Sequence, residues 1–175
     1  MVGPLHRLAL QVYRRLPVGF RRRVVRAVSP SFTVGAMCFI ERDDGALLLV
    51  RHSYRDRWGV PGGLLQRGED AAAGAQREVH EEVGLRVELL GEPAVVVDAA
   101  PQRVDVVFRA ILASGADGAV VDVRSVEIVE ARWFSPDELP ELQFETAGAL
   151  VALARADTSS GRRPLPDPVW PRFVE

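Results

Sequence analysis

The stretch from Asp70 to Val83 constrains this chain more than any other part of it. It reads as a helix, with Asp70 as the capping side chain, alanines at 71, 72 and 73, and Gly84 to close it. Glu78, Glu81 and Glu82 stand at i, i+3 and i+4, so at about 100° per residue their carboxylates share one face. Ala72, Val79 and Val83 form an apolar stripe on a neighbouring face. One face is therefore expected to pack while another presents the acids together. Like charges at this spacing repel. A hard divalent cation is the natural counterweight, because Mg²⁺ favours carboxylate oxygens. Arg77, four residues before Glu81, is expected to pair with a carboxylate and aim it.

Apolar runs flank this helix. Phe32 to Ile40 and Ala46 to Arg51 read as strands joined by the turn Asp43-Asp44-Gly45. An arginine-rich loop, His52 to Arg57, leads into Trp58-Gly59-Val60-Pro61-Gly62-Gly63, whose glycines expose backbone N–H groups of use beside a phosphate. Beyond the helix, Leu85 to Leu90, Ala94 to Asp98, Val104 to Leu112 and Val126 to Phe134 read as four more strands. A small-residue loop covers Ser114 to Gly118. Ser135 and Pro136 mark a short helix start, and Thr146 to Ala156 reads as a last helix. Strands on both sides of a central helix suggest an α/β fold, a mixed sheet covered by helices.

Charge divides the chain. Its 175 residues carry a net −2, yet residues 1–40 hold seven arginines and no acid, leaving fifteen arginines against 24 acids, a net −9, in the rest. Three segments are expected: a basic helical arm at 1–30, a domain at 31–156, and a proline-rich extended tail at 157–175. The acidic body argues against a nucleic-acid track. In the arm, Leu5, Leu8, Ala9, Val12, Tyr13 and Leu16 recur at helical spacing, and Phe20 to Val28 continues after Pro17 and Gly19. Such a stripe suits packing on the domain or on a second copy of the chain, so a homodimer is an expectation; attraction of the arm to anionic lipid is the alternative. No apolar run approaches a membrane span. Cys38 is the one cysteine, which excludes an intrachain disulfide and fits a reducing, cytoplasmic compartment. Within its apolar strand it reads as a small buried hydrophobe.

The spacing of the central segment is more specific than its charges. Gly63, five residues, Glu69, seven residues, Arg77-Glu78-Val79, one residue, Glu81-Glu82, one residue, Gly84-Leu85 resembles at every specified position the signature of the Nudix hydrolases, GX5EX7REUXEEXGU with U aliphatic. The WGVPGG entry, the order of strands, and the stretch Glu127 to Leu139 (Glu-x-x-Glu-x-x-Trp-Phe-x-x-Asp-Glu-Leu) extend the likeness over residues 32–156. The resemblance implies an α/β/α sandwich around a mixed sheet. It also implies hydrolysis of a nucleoside diphosphate linked to another group, with Mg²⁺ or Mn²⁺. Carried over by position, Glu78 and Glu82 would ligate metal, Glu81 would ligate metal or orient its water, the Gly63 carbonyl would touch metal, and Glu69 would support the shell. Arg77 would pair with a signature carboxylate. The general base of such enzymes often lies near the late strand, where Glu127 is favoured over Glu130.

Arg51, Arg55 and Arg57 precede the signature and suit phosphate oxygens, and Trp58 suits a nucleobase face. The resemblance leaves the substrate open. Some ADP-ribose-hydrolysing members carry a proline about sixteen residues after the signature, and Pro101 stands at that position here. A nucleotide sugar such as ADP-ribose is therefore the leading expectation. The alternatives are an oxidised or other nucleoside triphosphate, and a non-catalytic domain that senses a nucleotide. The intact set Glu78, Glu81 and Glu82 speaks against the last.

Overall fold

The computed structural model describes residues 11, 13–113, 120–163, 165, 166 and 168. The small-residue loop expected at 114–118, and Leu5, Leu8, Ala9 and Val12 of the arm, lie outside them. The chain divides into two compact units, Met1–Phe32 and Thr33–Glu175. In the first, α1 (Val18–Val28) ends with the Ser29 N–H donating to the Val25 carbonyl; its arginines and valines leave no residue of the helix buried. Among the described residues no helix is long and apolar enough to cross a membrane.

The second unit is built on one sheet of seven strands: β1 (Thr33–Glu41), β2 (Leu47–His52), β3 (Trp58–Gly59), β4 (Gly62–Leu64), β5 (Val87–Asp98), β6 (Arg103–Leu112) and β7 (Ile128–Phe134). The sheet is mixed. β1 and β6 run parallel, whereas β1–β2, β1–β4, β2–β3, β2–β7 and β5–β6 are antiparallel. Helix α2 (Ala71–Val83) and helix α3 (Phe144–Ser159) cover it, each with its own core. Strand alternation divides the apolar run of β1 between them. Met37 and Phe39 join Leu47, Leu49, Ala147, Leu150 and Leu153, while Cys38 and Ile40 join Leu48, Val50, Val79 and Val83. A strand buried on both faces reads as an unbroken apolar run, which is the pattern of residues 36–40. This is the α/β/α sandwich that the resemblance implied. Cys38 is fully buried, and burial pushes its thiol up to about 12.

β1 and β2 meet at one registered pair, Glu41 with Leu47, beside the turn, and then part. The segment 58–64 fills the gap. β3 pairs with β2, β4 pairs with β1, and the Pro61 carbonyl between them accepts from the Cys38 N–H at 3.0 Å. These two short strands were not expected from the sequence. The runs at 85–90 and 94–98 are one strand, β5, whose register shifts between Leu90 and Ala94. Gly91, at φ +66, supplies the left-handed residue of that irregularity. Ser135 makes no side-chain cap, and the turn after it is 3₁₀ (Pro136–Glu138) rather than α-helical. α3 runs to Ser159, past the border at 157 expected between the domain and the tail.

One buried ionic cluster secures the chain after α3. Arg109 of β6 donates to Glu41 of β1, to Asp157 of α3 at 2.9 Å, and to the Arg163 carbonyl at 2.6 Å. Arg109 and Asp157 are both buried, so removing the guanidinium alone leaves an uncompensated carboxylate. Arg109→Met is expected to lower the unfolding free energy by about 3–5 kcal/mol, read by urea denaturation. Replacing Glu41 and Asp157 with Gln and Asn in the same chain should recover part of that loss.

Candidate active site

The carboxylates of α2 meet the backbone of β4. Asp70 caps the helix by accepting from the N–H groups of Ala72 and Ala73 at 3.1 and 3.3 Å, and Gly84 at φ +71 ends it. The Gly62 N–H donates to Glu82 Oε2 at 3.1 Å. A Cβ on Gly62 would collide with the Ala36 carbonyl oxygen, and one on Gly63 would lie 2.6 Å from Glu78 Oε1. The glycines are thus required by close approach: β4 lies against β1 on one side and against the α2 carboxylates on the other.

Arg77 binds the acids together. Its Nε donates to Glu69 Oε1 at 2.7 Å and its Nη2 to Glu69 Oε2 at 2.9 Å, a bidentate pair. Nη1 donates to Glu78 Oε1 at 2.7 Å and to Glu81 Oε2 at 3.0 Å, and Nη2 also reaches the Leu64 carbonyl at 3.3 Å. The guanidinium, with help from the Gln66 N–H, holds the Glu69 carboxyl down at about 2. The carboxylates in turn raise Arg77 above its ordinary value. The expected pairing is present with three partners rather than one.

The three glutamates of the helix are not equivalent. The Glu81 side chain is 55% exposed, whereas Glu82 is 7% exposed and belongs to the buried side of α2. The expectation of one packed face and one acidic face is corrected here. Glu82 lies about 60° from Val79 around the axis, close enough to share its burial. Burial pushes the Glu82 carboxyl up to about 8, reinforced by Glu78, Glu127 and Glu81 and opposed by the Gly62 N–H. His52 Nε2 stands 3.9 Å from Glu82 Oε1, and burial lowers the imidazole despite Glu127.

These groups line a cleft of about 550 Å³. Of the residues expected from sequence, Gly63, Arg77, Glu78, Glu82, Glu127 and Arg55 line it. Glu69 and Glu81 reach it through Arg77. Arg51, Arg57, Trp58 and Glu130 are not in its lining. Arg51 is opposite Glu130 in the β2–β7 ladder and donates to it at 2.9 Å. Trp58 packs edge-on to Phe134, with ring centroids 4.8 Å apart, and Arg57 Nε reaches Glu141 at 3.4 Å. The cleft also holds His52, Tyr54, Arg103, Gln143, Glu145 and Thr146, which sequence reasoning did not place there. Arg103 left one legible signal: with Asp105 it forms a polar pair of opposite charge at period 2 at the start of a mostly apolar strand.

The donor chemistry fits a hard divalent cation. Glu78, Glu82 and Glu127 and the Gly63 carbonyl offer oxygen atoms, and a buried carboxylate whose near neighbours are acids is the environment such an ion offsets. Among the described residues no three acidic, histidine or cysteine side chains already stand as a metal cage. Arg77 instead draws Glu78 and Glu81 to itself.

A consequence can be measured in metal-free protein. With its folded value raised to about 8, Glu82 holds its proton more tightly folded than unfolded. Its contribution therefore favours folding at low pH and is lost as pH rises from the unfolded value through about 8. In chelator at pH 9, Glu82→Gln is expected to raise stability by about 1–3 kcal/mol, with the gain vanishing near pH 4. Thermal melts across pH check this.

A model of the NUDIX domain matches residues 31–154. A MutT-like protein of Streptomyces ambofaciens is 32% identical over 135 residues, covering 77% of this chain and 82% of that protein. The crystal structure of a NUDIX hydrolase from Nitrosomonas europaea superposes with a TM-score of 0.62 at 25% identity, covering 81% of this chain and 78% of the other. An ADP-ribose pyrophosphatase from Streptococcus suis superposes with a TM-score of 0.57 at 25% identity, covering 81% and 97%. With the signature helix, the glycine strand laid against it and this match over most of its length, the chain belongs to the NUDIX family and is a pyrophosphohydrolase.

Proposed function

We propose that the chain cleaves the pyrophosphate of a nucleoside diphosphate linked to another group, with a nucleotide sugar such as ADP-ribose the first candidate. One observation carries this reading. A single cleft is lined by Glu78, Glu82 and Glu127 and by three arginines, Arg77, which the acids hold, and Arg55 and Arg103, so it offers both a cation site and anion contacts. At about 550 Å³ it has the size of a small-molecule site rather than a polymer track. The likeness to an ADP-ribose pyrophosphatase and the position of Pro101 support the choice of substrate.

Glu78, Glu82 and Glu81, with the Gly63 carbonyl, would hold Mg²⁺ or Mn²⁺. Such an ion supplies screening of the pyrophosphate charge and acidifies the attacking water. The remaining work belongs to the chain. Glu127 takes the proton of the attacking water: it lines the cleft, while Glu130 is tied to Arg51 outside it. Arg77 positions Glu78 and Glu81, and Glu69 positions Arg77 by its bidentate pair. Arg55 holds phosphate oxygens; its bond to Glu145 is 3.5 Å long and exchanges readily for a better acceptor. Tyr54, 64% exposed in the cleft wall, replaces Trp58 as the surface on which a base stacks.

Purified chain with Mg²⁺ or Mn²⁺ is given ADP-ribose, other nucleotide sugars, dinucleoside polyphosphates, and normal and oxidised triphosphates, with products identified by mass. AMP and ribose phosphate from ADP-ribose are the expected products. Pyrophosphate with a monophosphate from a triphosphate would transfer the assignment to the triphosphate class. Glu82→Gln should lower kcat by at least roughly a thousand-fold. Glu127→Gln should lower it about 10²- to 10⁴-fold, and Glu130→Gln by less than about ten-fold.

A further inference from the structure

The first unit, Met1–Phe32, supplies nothing to the lining of the cleft, yet it carries an ordered surface of its own. A corner at Pro17, whose carbonyl accepts from the Phe20 and Arg21 N–H groups at 3.0 Å, sets α1 off from the helical residues 13–15. At about 100° per residue, Phe20, Val24, Val28, Val25 and Val18 follow one another over about 160° of α1. Arg22, Arg26 and Arg23 share the opposite side. Val18, Phe20, Val25 and Val28 are all exposed, Val28 by 77%. Single exposed apolar side chains need no explanation, but four on one helix face mark a contact surface.

Charge says what that surface would touch. Residues 1–40 hold seven arginines and no acid, so the complementary partner is anionic. Arg21, Arg22 and Arg26, with Tyr13, Val18 and Val25, border an open concavity of about 440 Å³. The Arg21 Nε is buried and has no hydrogen-bond partner among the described residues. A buried donor without an acceptor is costly, and an oxyanion arriving in the concavity relieves it.

An anionic phospholipid answers both halves of this surface, with a phosphate for the guanidinium groups and an acyl chain for the valines. A free phosphate or a nucleic-acid backbone answers only the first. The place of Arg21 favours lipid further. It stands inside the apolar arc, between Val28 and Val25. Against a protein core its charge would be stranded. At a bilayer surface a long arginine reaches the phosphate level while its neighbours enter the acyl boundary.

We propose that α1 docks flat on an anionic lipid bilayer, with Phe20, Val24, Val25 and Val28 at the acyl boundary and Arg21 and Arg22 on lipid phosphates. Arg23 and Arg26 add long-range attraction. The proposal does not depend on the hydrolase reading, since none of these residues lines the cleft.

The test is co-sedimentation of the full chain with vesicles of phosphatidylcholine alone and of equimolar phosphatidylcholine and phosphatidylglycerol. Binding to the mixed vesicles only is expected, and it should weaken as salt rises. R21Q/R22Q should lower the partition coefficient roughly ten-fold or more. V25S/V28S keeps every charge and should lower it by a similar factor, about ten-fold. Equal binding to both kinds of vesicle, or a loss in R21Q/R22Q with none in V25S/V28S, would overturn the proposal. Two further results would do the same by naming another occupant. Duplex DNA bound through Arg21 and Arg22, without binding to vesicles, would assign the surface to a nucleic acid. A dimer in light scattering that V25S/V28S dissolves, without binding to vesicles, would assign it to a second copy of the chain.

Hydrogen exchange on the wild type reads the same contact without a variant. The amides of Val18–Val28 should exchange about ten-fold more slowly with the mixed vesicles than with phosphatidylcholine alone. Equal exchange with the two would sink the docking.

Discussion

A cluster of carboxylates in a half-buried cleft is unstable by itself, and the guanidinium of Arg77 is what makes it tolerable in this fold. Glu69, Glu78 and Glu81 all accept from it, and so does the Leu64 carbonyl. It therefore joins the loop before α2, the helix itself and strand β4 by one rigid planar group. A lysine in its place would supply charge without the fork that serves Glu69 with two nitrogens and Glu78 with a third. Glu82 is left out of this arrangement. It accepts from the Gly62 N–H, faces His52 at 3.9 Å, and sits where burial resists its charge. The site thus separates a neutralised group of acids from a single strained one.

The sheet makes that separation geometrically available. β1 feeds two cores by strand alternation, so its path is held on both faces. Because β2 departs from it after one pair, the segment 58–64 can insert and bring two glycines against α2. Backbone without side chains then occupies the position between strand and helix. The glutamates approach to distances that any Cβ would forbid. Rigid surroundings and close approach are what hold polar groups in a poised, partly unsatisfied state.

Much of this was legible in the sequence because it is local. The Asp70 cap, the alanine-rich first turn, the Gly84 stop and the spacing of Glu78, Glu81 and Glu82 are all written within fifteen residues. The alternation of β1 was visible as an apolar run. What could not be read depends on register and on very short elements. β3 and β4, Trp58–Gly59 and Gly62–Leu64, leave too few residues for any periodicity. Arg51 and Trp58 looked available for substrate until cross-strand pairing set them against Glu130 and Phe134. Arg103 and Tyr54 reach the cleft from loop and strand ends far apart in the chain, and only the closed sheet puts them there. Glu82 shows the limit of a helical wheel: its angle lies between the acidic face and the Val79 stripe, and β4, whose Gly62 N–H donates to it, lies against that border.

The cluster at Arg109 has a consequence for where this domain ends. The likeness to the family stops at residue 154, yet Asp157, the Arg163 carbonyl and the buried Leu165 all belong to the folded unit. Leu165 fills a place in the same core as Leu150 and Leu153, and Arg109 has its remaining donors satisfied only by chain beyond the match. Homology and cooperativity therefore have different borders here. A piece cut at the border of likeness would keep every residue of the cleft and lose a wall of the core beneath it. Chain beyond the family match is, in this protein, a structural closure.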